Sequence, residues 1–117
     1  MKALYAIVFL MGMGLVAQEN KGSKKEYLKE GNQIRYVEYH DNGVVAQTGL
    51  FKNEELHGRW ISYDEEGNKV MMGTYEVGRK TSKWLFWQED VLIEVDYDDN
   101  KILRSVQWNN ATLIAEN

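Results

Sequence analysis

Residues 59–76 read Arg59-Trp60-Ile61-Ser62-Tyr63, then Asp64-Glu65-Glu66-Gly67, then Asn68-Lys69-Val70-Met71-Met72-Gly73-Thr74-Tyr75-Glu76. The first five carry the aromatic and β-branched side chains that favour a strand. The next four are turn-formers, with Gly67 where a positive φ is needed. The rest is a return strand. This stretch is a β-hairpin, and it is not alone in the chain.

Self-similarity at a fixed period marks a repeat architecture. Tyr36, Trp60 and Trp84 are 24 residues apart, as are Val37, Ile61 and Leu85, and Tyr39, Tyr63 and Trp87. Gly43/Gly67, Gly49/Gly73 and Tyr27/Phe51/Tyr75 share the spacing. The third copy is two residues shorter, after which Tyr97 continues the Phe51/Tyr75 series and Val106 continues Tyr36/Trp60/Trp84. Copy one is read as strands Arg35–His40 and Val44–Lys52 around Asp41-Asn42-Gly43, an Asn-Gly hairpin signal. Copy three is read as Lys83–Gln88 and Val91–Tyr97 around Glu89-Asp90. Val77-Gly78-Arg79-Lys80 connects copies two and three. Lys101–Trp108 and Ala111–Ala115 flank a last turn at Asn109-Asn110. The fold class is therefore all-β: an elongated antiparallel meander of consecutive β-hairpins.

Alternation assigns the faces. Tyr36, Trp60, Trp84 and Val106 are expected on one side. Val37/Tyr39, Ile61/Tyr63 and Leu85/Trp87 are expected on the other. Gly49 and Gly73 are expected opposite the tryptophans, leaving room for the indoles.

The run Gly49-Leu50-Phe51-Lys52-Asn53, His57-Gly58-Arg59-Trp60-Ile61-Ser62-Tyr63, Gly67 resembles the variant MORN repeat, as does Gly73-Thr74-Tyr75-Glu76-Val77-Gly78 with Lys83-Trp84-Leu85-Phe86-Trp87. The resemblance covers about residues 27–108. Ser82 departs from it where a glycine is expected, Glu54 stands where the next copy has Gly78, and copy three lacks the turn glycine. The resemblance implies an elongated, twisted sheet that scaffolds, binds partners or associates with the envelope, with no catalytic residues. Such repeats occur in bacterial proteins labelled as antitoxins of the YwqK type, so toxin neutralisation is one version of the implied function.

Residues 1–17, MKALYAIVFLMGMGLVA, have the outline of a secretory signal peptide. Lys2 is the charged head, Ala3 to Val16 the apolar run, and Ala17 the small residue at the cut. About 14 apolar residues span roughly 21 Å as a helix, short for a bilayer core. The alternative is a buried hydrophobic N-terminal element. Cleavage after Ala17 would release a single repeat domain, residues 18–117, with 13 basic and 18 acidic side chains and net charge −5. The expected location is periplasmic or secreted, which fits poorly with a cytoplasmic toxin as partner.

The 117-residue chain has no cysteine and no proline, and its net charge is −4. Zero cysteine excludes a disulfide framework, a thiolate metal site and a cysteine nucleophile. The acidic balance argues against a nucleic-acid partner. His40 and His57 both occupy turn contexts, without the third ligand a zinc site would want. Asp96-x-Asp98-x-Asn100 opens like a calcium loop, but Lys101 and Gln107 take the places that need glycine and glutamate. The acidic turns read as solvated charge that blunts sheet edges. Lys24-Lys25 and Lys29 make a small basic patch near the new N-terminus, read as a solubilising tail ahead of the alternative, an anionic-lipid site making peripheral membrane contact. No nucleophile–base constellation, metal site or cofactor motif appears, so no enzyme activity is expected.

The residues that could carry function are aromatic. Tyr36, Trp60 and Trp84, with Tyr63 and Trp87, form ladders that could grip a protein partner or stack the sugar rings of a cell-wall glycan. The competing reading of Tyr36, Trp60 and Trp84 is that their face packs on itself, since tryptophan is mostly buried. Exported, non-catalytic binding is the expected function, with an envelope structural or glycan-binding role as the alternative.

Overall fold

The computed structural model describes residues 24–109. The expected leader, its cut site and the expected strand Ala111–Ala115 lie outside them. The described residues form eight strands: β1 (Lys24–Glu30), β2 (Gln33–Tyr39), β3 (Val45–Lys52), β4 (Glu55–Tyr63), β5 (Lys69–Glu76), β6 (Arg79–Gln88), β7 (Val91–Asp98) and β8 (Lys101–Trp108). They make one open antiparallel sheet in strict chain order. The fold is the all-β hairpin meander expected from the repeat.

The hairpins of copies one and two close identically. His40 N donates to Val44 O at 2.8 Å and Gly43 N to His40 O at 2.9 Å. Asp64 N donates to Asn68 O at 2.8 Å and Gly67 N to Asp64 O at 3.0 Å. The Asp64 carboxylate also accepts from the backbone N–H of Glu66 (3.0 Å) and Asn68 (2.9 Å). Those bonds hold its pKa below the ordinary value, the Asn68 amide first among them.

The departures from the repeat pattern leave the sheet intact. Asn53-Glu54 takes φ of 54° and 67°, and Val77-Gly78 takes 51° and 76°. Both are two-residue turns with positive φ twice, the hand that matches strand twist. Glu54 therefore adopts the conformation of Gly78. Ser82 (φ 66°) does the same for Gly58 (φ 69°). Strands also run longer than the sequence suggested. The Val77–Lys80 connection shrinks to Val77-Gly78, and Lys24, Lys25 and Lys29 lie in β1 instead of a tail.

Two bulges of three residues against one shape the sheet. Between the pairs Thr48↔Ile61 and Leu50↔His57, the three residues Gly58, Arg59 and Trp60 face Gly49 alone. Between Met72↔Leu85 and Thr74↔Thr81, Ser82, Lys83 and Trp84 face Gly73 alone. Each bulge lays an indole flat over the glycine of the preceding strand. A Cβ on Gly49 would fall inside the Trp60 ring, and one on Gly73 inside the Trp84 ring. The expected room for the indoles is present.

One assignment is corrected. Val106 lies on the face opposite Trp84: Trp84 pairs with Val95, Leu85 with Glu94, and Glu94 with Val106. The β7/β8 bulge holds one extra residue, between Asp96↔Arg104 and Tyr97↔Ile102, where the earlier bulges hold two. A slip of one residue moves a side chain to the other face. Ser105, paired with Val95, thus stands where an indole would otherwise be. With no ring above it, that position accommodates valine where earlier copies need glycine.

Candidate functional site

The face that carries the tryptophans is the core. Tyr36 (5 % exposed), Leu56, Trp60 (0 %), Met71, Tyr75 and Trp84 (0 %) form one buried cluster, with Phe51, Phe86 and Tyr97 packed against it. The ring contacts run along this face. Tyr36 stacks near Trp60 at 5.7 Å between centroids, Phe51 meets Trp60 edge-on at 5.3 Å, and Tyr75 meets Trp84 edge-on at 5.1 Å. The polar handles of Trp60, Trp84 and Tyr36 are satisfied from within, while the buried Tyr75 hydroxyl has no hydrogen-bond partner among the described residues. Trp60 Nε1 donates to Leu50 O at 3.1 Å, and Trp84 Nε1 to Thr74 O, its 24-residue equivalent, also at 3.1 Å. The Tyr36 hydroxyl donates to Glu38 Oε1 at 2.9 Å. Burial pushes the Tyr75 phenol up to about 12 and raises that of Tyr36 as well. The Lys80 stem covers the open side, its Nζ 5.8 Å from the Trp84 ring centre and 5.4 Å from that of Tyr97.

Tyr36, Trp60 and Trp84 therefore offer no ring face to a ligand. An open sheet has to bury one side to be stable, and these are its largest apolar side chains. Tyr63 and Trp87 lie on the opposite face and stay half-buried.

Pairing register shows what surrounds them. Val37↔Thr48, Thr48↔Ile61, Ile61↔Met72, Met72↔Leu85 and Leu85↔Glu94 form one row across β2–β7. Trp87↔Leu92 and Leu92↔Trp108 form a second, shorter row across β6–β8. Trp108 is 37 % exposed. A shallow hollow of about 540 Å³ opens beside Tyr63, lined by Val37, Tyr39, Val44, Val45, Thr48, Tyr63 and Gly67. Two hairpin turns wall it. His40 Nε2 bonds Tyr63 O at 2.9 Å, and Asn42 Nδ2 donates to Glu65 O at 3.0 Å. Toward the β6–β8 end of the same face sits a charged cluster: Lys83 lies 3.4 Å from both Glu94 and Asp96, and Arg104 lies 3.3 Å from Asp96.

Sequence reasoning put Tyr63 and Trp87 on this face and missed Trp108 and the hollow. Trp108 falls 21 residues after Trp87, off the repeat, because the Glu89-Asp90 turn is two residues shorter and the β7/β8 bulge one residue shorter than in the earlier copies. The calcium-like spacing is spread over a hairpin: Asp96 is ion-paired in β7, and Asn100 Oδ1 in the turn accepts from Lys80 N at 2.9 Å. His57 gives its carbonyl to Trp60 Nε1 at 3.2 Å. Among the described residues no group of three or more His, Cys, Asp or Glu is placed to hold a metal ion.

No protein-family model matches this chain, and neither the curated proteins nor the solved structures yield a match.

Proposed function

We propose that the chain is an exported, non-catalytic binding module of the variant MORN type that holds a protein partner on its Tyr63/Trp87 face. The observation that carries this is the division of labour between faces. One face encloses its own aromatics, while the other keeps Tyr63, Trp87, Leu92 and Trp108 accessible beside a rim of Lys83, Glu94, Asp96 and Arg104. Apolar surface rimmed by charge is the anatomy of an interface. Aromatic anchors are its usual hot spots, each worth about 2 kcal/mol or more.

The test is capture of a partner from envelope extract by the intact protein, then affinity measurement with Trp87→Ser and Tyr63→Ser. Each is expected to weaken binding about thirty-fold while the melting temperature stays near the parent value. Unaltered affinity in both variants would remove the face from the function.

The hollow between Tyr39 and Tyr63 favours a second reading, a cell-wall glycan whose sugar ring fills it. Tryptophan fluorescence titrated with glycan fragments separates the two. A saturable shift lost in Tyr63→Ser supports the glycan; no shift beside a stable protein complex supports the first reading.

A further inference from the structure

Among the described residues, β1 and β8 each have a strand on one side only. Both edges expose apolar side chains: Tyr27 is 61 % and Leu28 48 % exposed on β1, and Ile102 is 62 % and Leu103 65 % exposed on β8. An unpaired edge presents a row of backbone N–H and C=O groups ready to accept another strand.

The repeat indicates which strand β8 would accept. Tyr27 occupies in β1 the position of Phe51 in β3 and Tyr75 in β5, so β1 is a return strand. β8 follows β2, β4 and β6 as an outgoing strand. Each outgoing strand inside the sheet is followed by a return strand, in the registers Tyr36↔Gly49, Trp60↔Gly73 and Trp84↔Val95. The return strand's aromatic comes two residues later. Ser105 is the β8 counterpart of the tryptophans. The same register therefore sets Ser105 opposite Lys25, Arg104 opposite Glu26, and Leu103 opposite Tyr27. Opposite charges then meet across the new pair, and two of the most exposed apolar side chains cover each other.

The chain's own β1 lies at the far end of the same sheet, so the occupant is another molecule. We propose that a second copy of this chain docks its β1 edge on β8, continuing the meander head to tail. Such an interface is heterologous: each copy uses one edge and leaves the other open.

The experiment uses the protein recovered from cells expressing the full 117-residue chain. Its mass is followed by light scattering across a concentration series. Mass is expected to climb in steps of one chain. Leu103→Lys and Tyr27→Lys, both at exposed positions, are each expected to stay at one chain with an unchanged circular dichroism spectrum. Mixed in equal amounts they should form a two-chain species and nothing larger, because each supplies the edge the other has lost. Three results overturn the proposal. One is a single-chain mass at every concentration, as when residues 110–117 cover β8. Another is a mixture that stays at one chain. The third is a two-chain species from Tyr27→Lys alone, which means β8 pairs with β8.

Discussion

Gly73 shows most directly how one residue holds this sheet together. Its missing Cβ is the seat of the Trp84 indole, and no part of that seat is a flexible chain end. Adding a methyl group must lift a fully buried ring away from Tyr75 and Tyr97. Overpacking of this kind costs about 1–3 kcal/mol. Gly73→Ala is expected to lower the unfolding free energy by that amount, seen as a lower urea midpoint at unchanged slope. A cost near zero would mean that the indole can move without loss, contrary to the packing described. Val95 makes the same point in reverse. It occupies the equivalent place one copy later, where Ser105 replaces the ring, and it carries its side chain without obstruction.

At the scale of elements, the three-against-one bulge is the device that repeats. It turns each tryptophan over the preceding strand, and it requires a residue with positive φ at its start. Gly58 meets that requirement at little steric cost, whereas Ser82 adopts φ 66° with a Cβ present. The left-handed region costs an L-residue roughly 1–2 kcal/mol, and glycine's extra unfolded-state freedom offsets about half of that. Ser82→Gly is therefore expected to be neutral or stabilising by up to about 1 kcal/mol, and Gly58→Ser destabilising by a similar amount. Paired denaturant curves check both. A Ser82→Gly variant that loses more than it gains would point to a role for the Ser82 side chain beyond the bulge.

At the scale of the molecule, the meander measures 41 × 33 × 24 Å, and among the described residues no strand closes the sheet on itself. Each strand packs on its sequence neighbours, so stability resembles a sum of hairpin and nearest-neighbour terms. The buried aromatics sit on β2–β6, with Val95 on β7, while β8 has none of its residues buried and β1 only Tyr27's partial contact with Tyr36. Hydrogen exchange is expected to be slowest in β3–β6 and fastest in β1 and β8. Uniform protection would imply that the outer strands are covered in solution, as they would be in a head-to-tail assembly at high concentration. Dilution separates the two cases.

The period of 24 residues, the hairpins and the two faces were legible in the sequence, because strand alternation and turn chemistry are local and the repeat multiplies each weak signal. The small residues at Gly49 and Gly73 were legible too, since only a close approach explains a glycine held at one spacing inside a strand. The tertiary structure alone decided which face is core. Both faces carry large apolar groups, and no local pattern says which set will be enclosed. Register decided the rest. One residue fewer in the β8 bulge sent Val106 across the sheet, placed Ser105 where a tryptophan would stand, and brought Trp108 beside Leu92 on the Trp87 face. That count of residues between hydrogen-bonded pairs exists only once the strands have met.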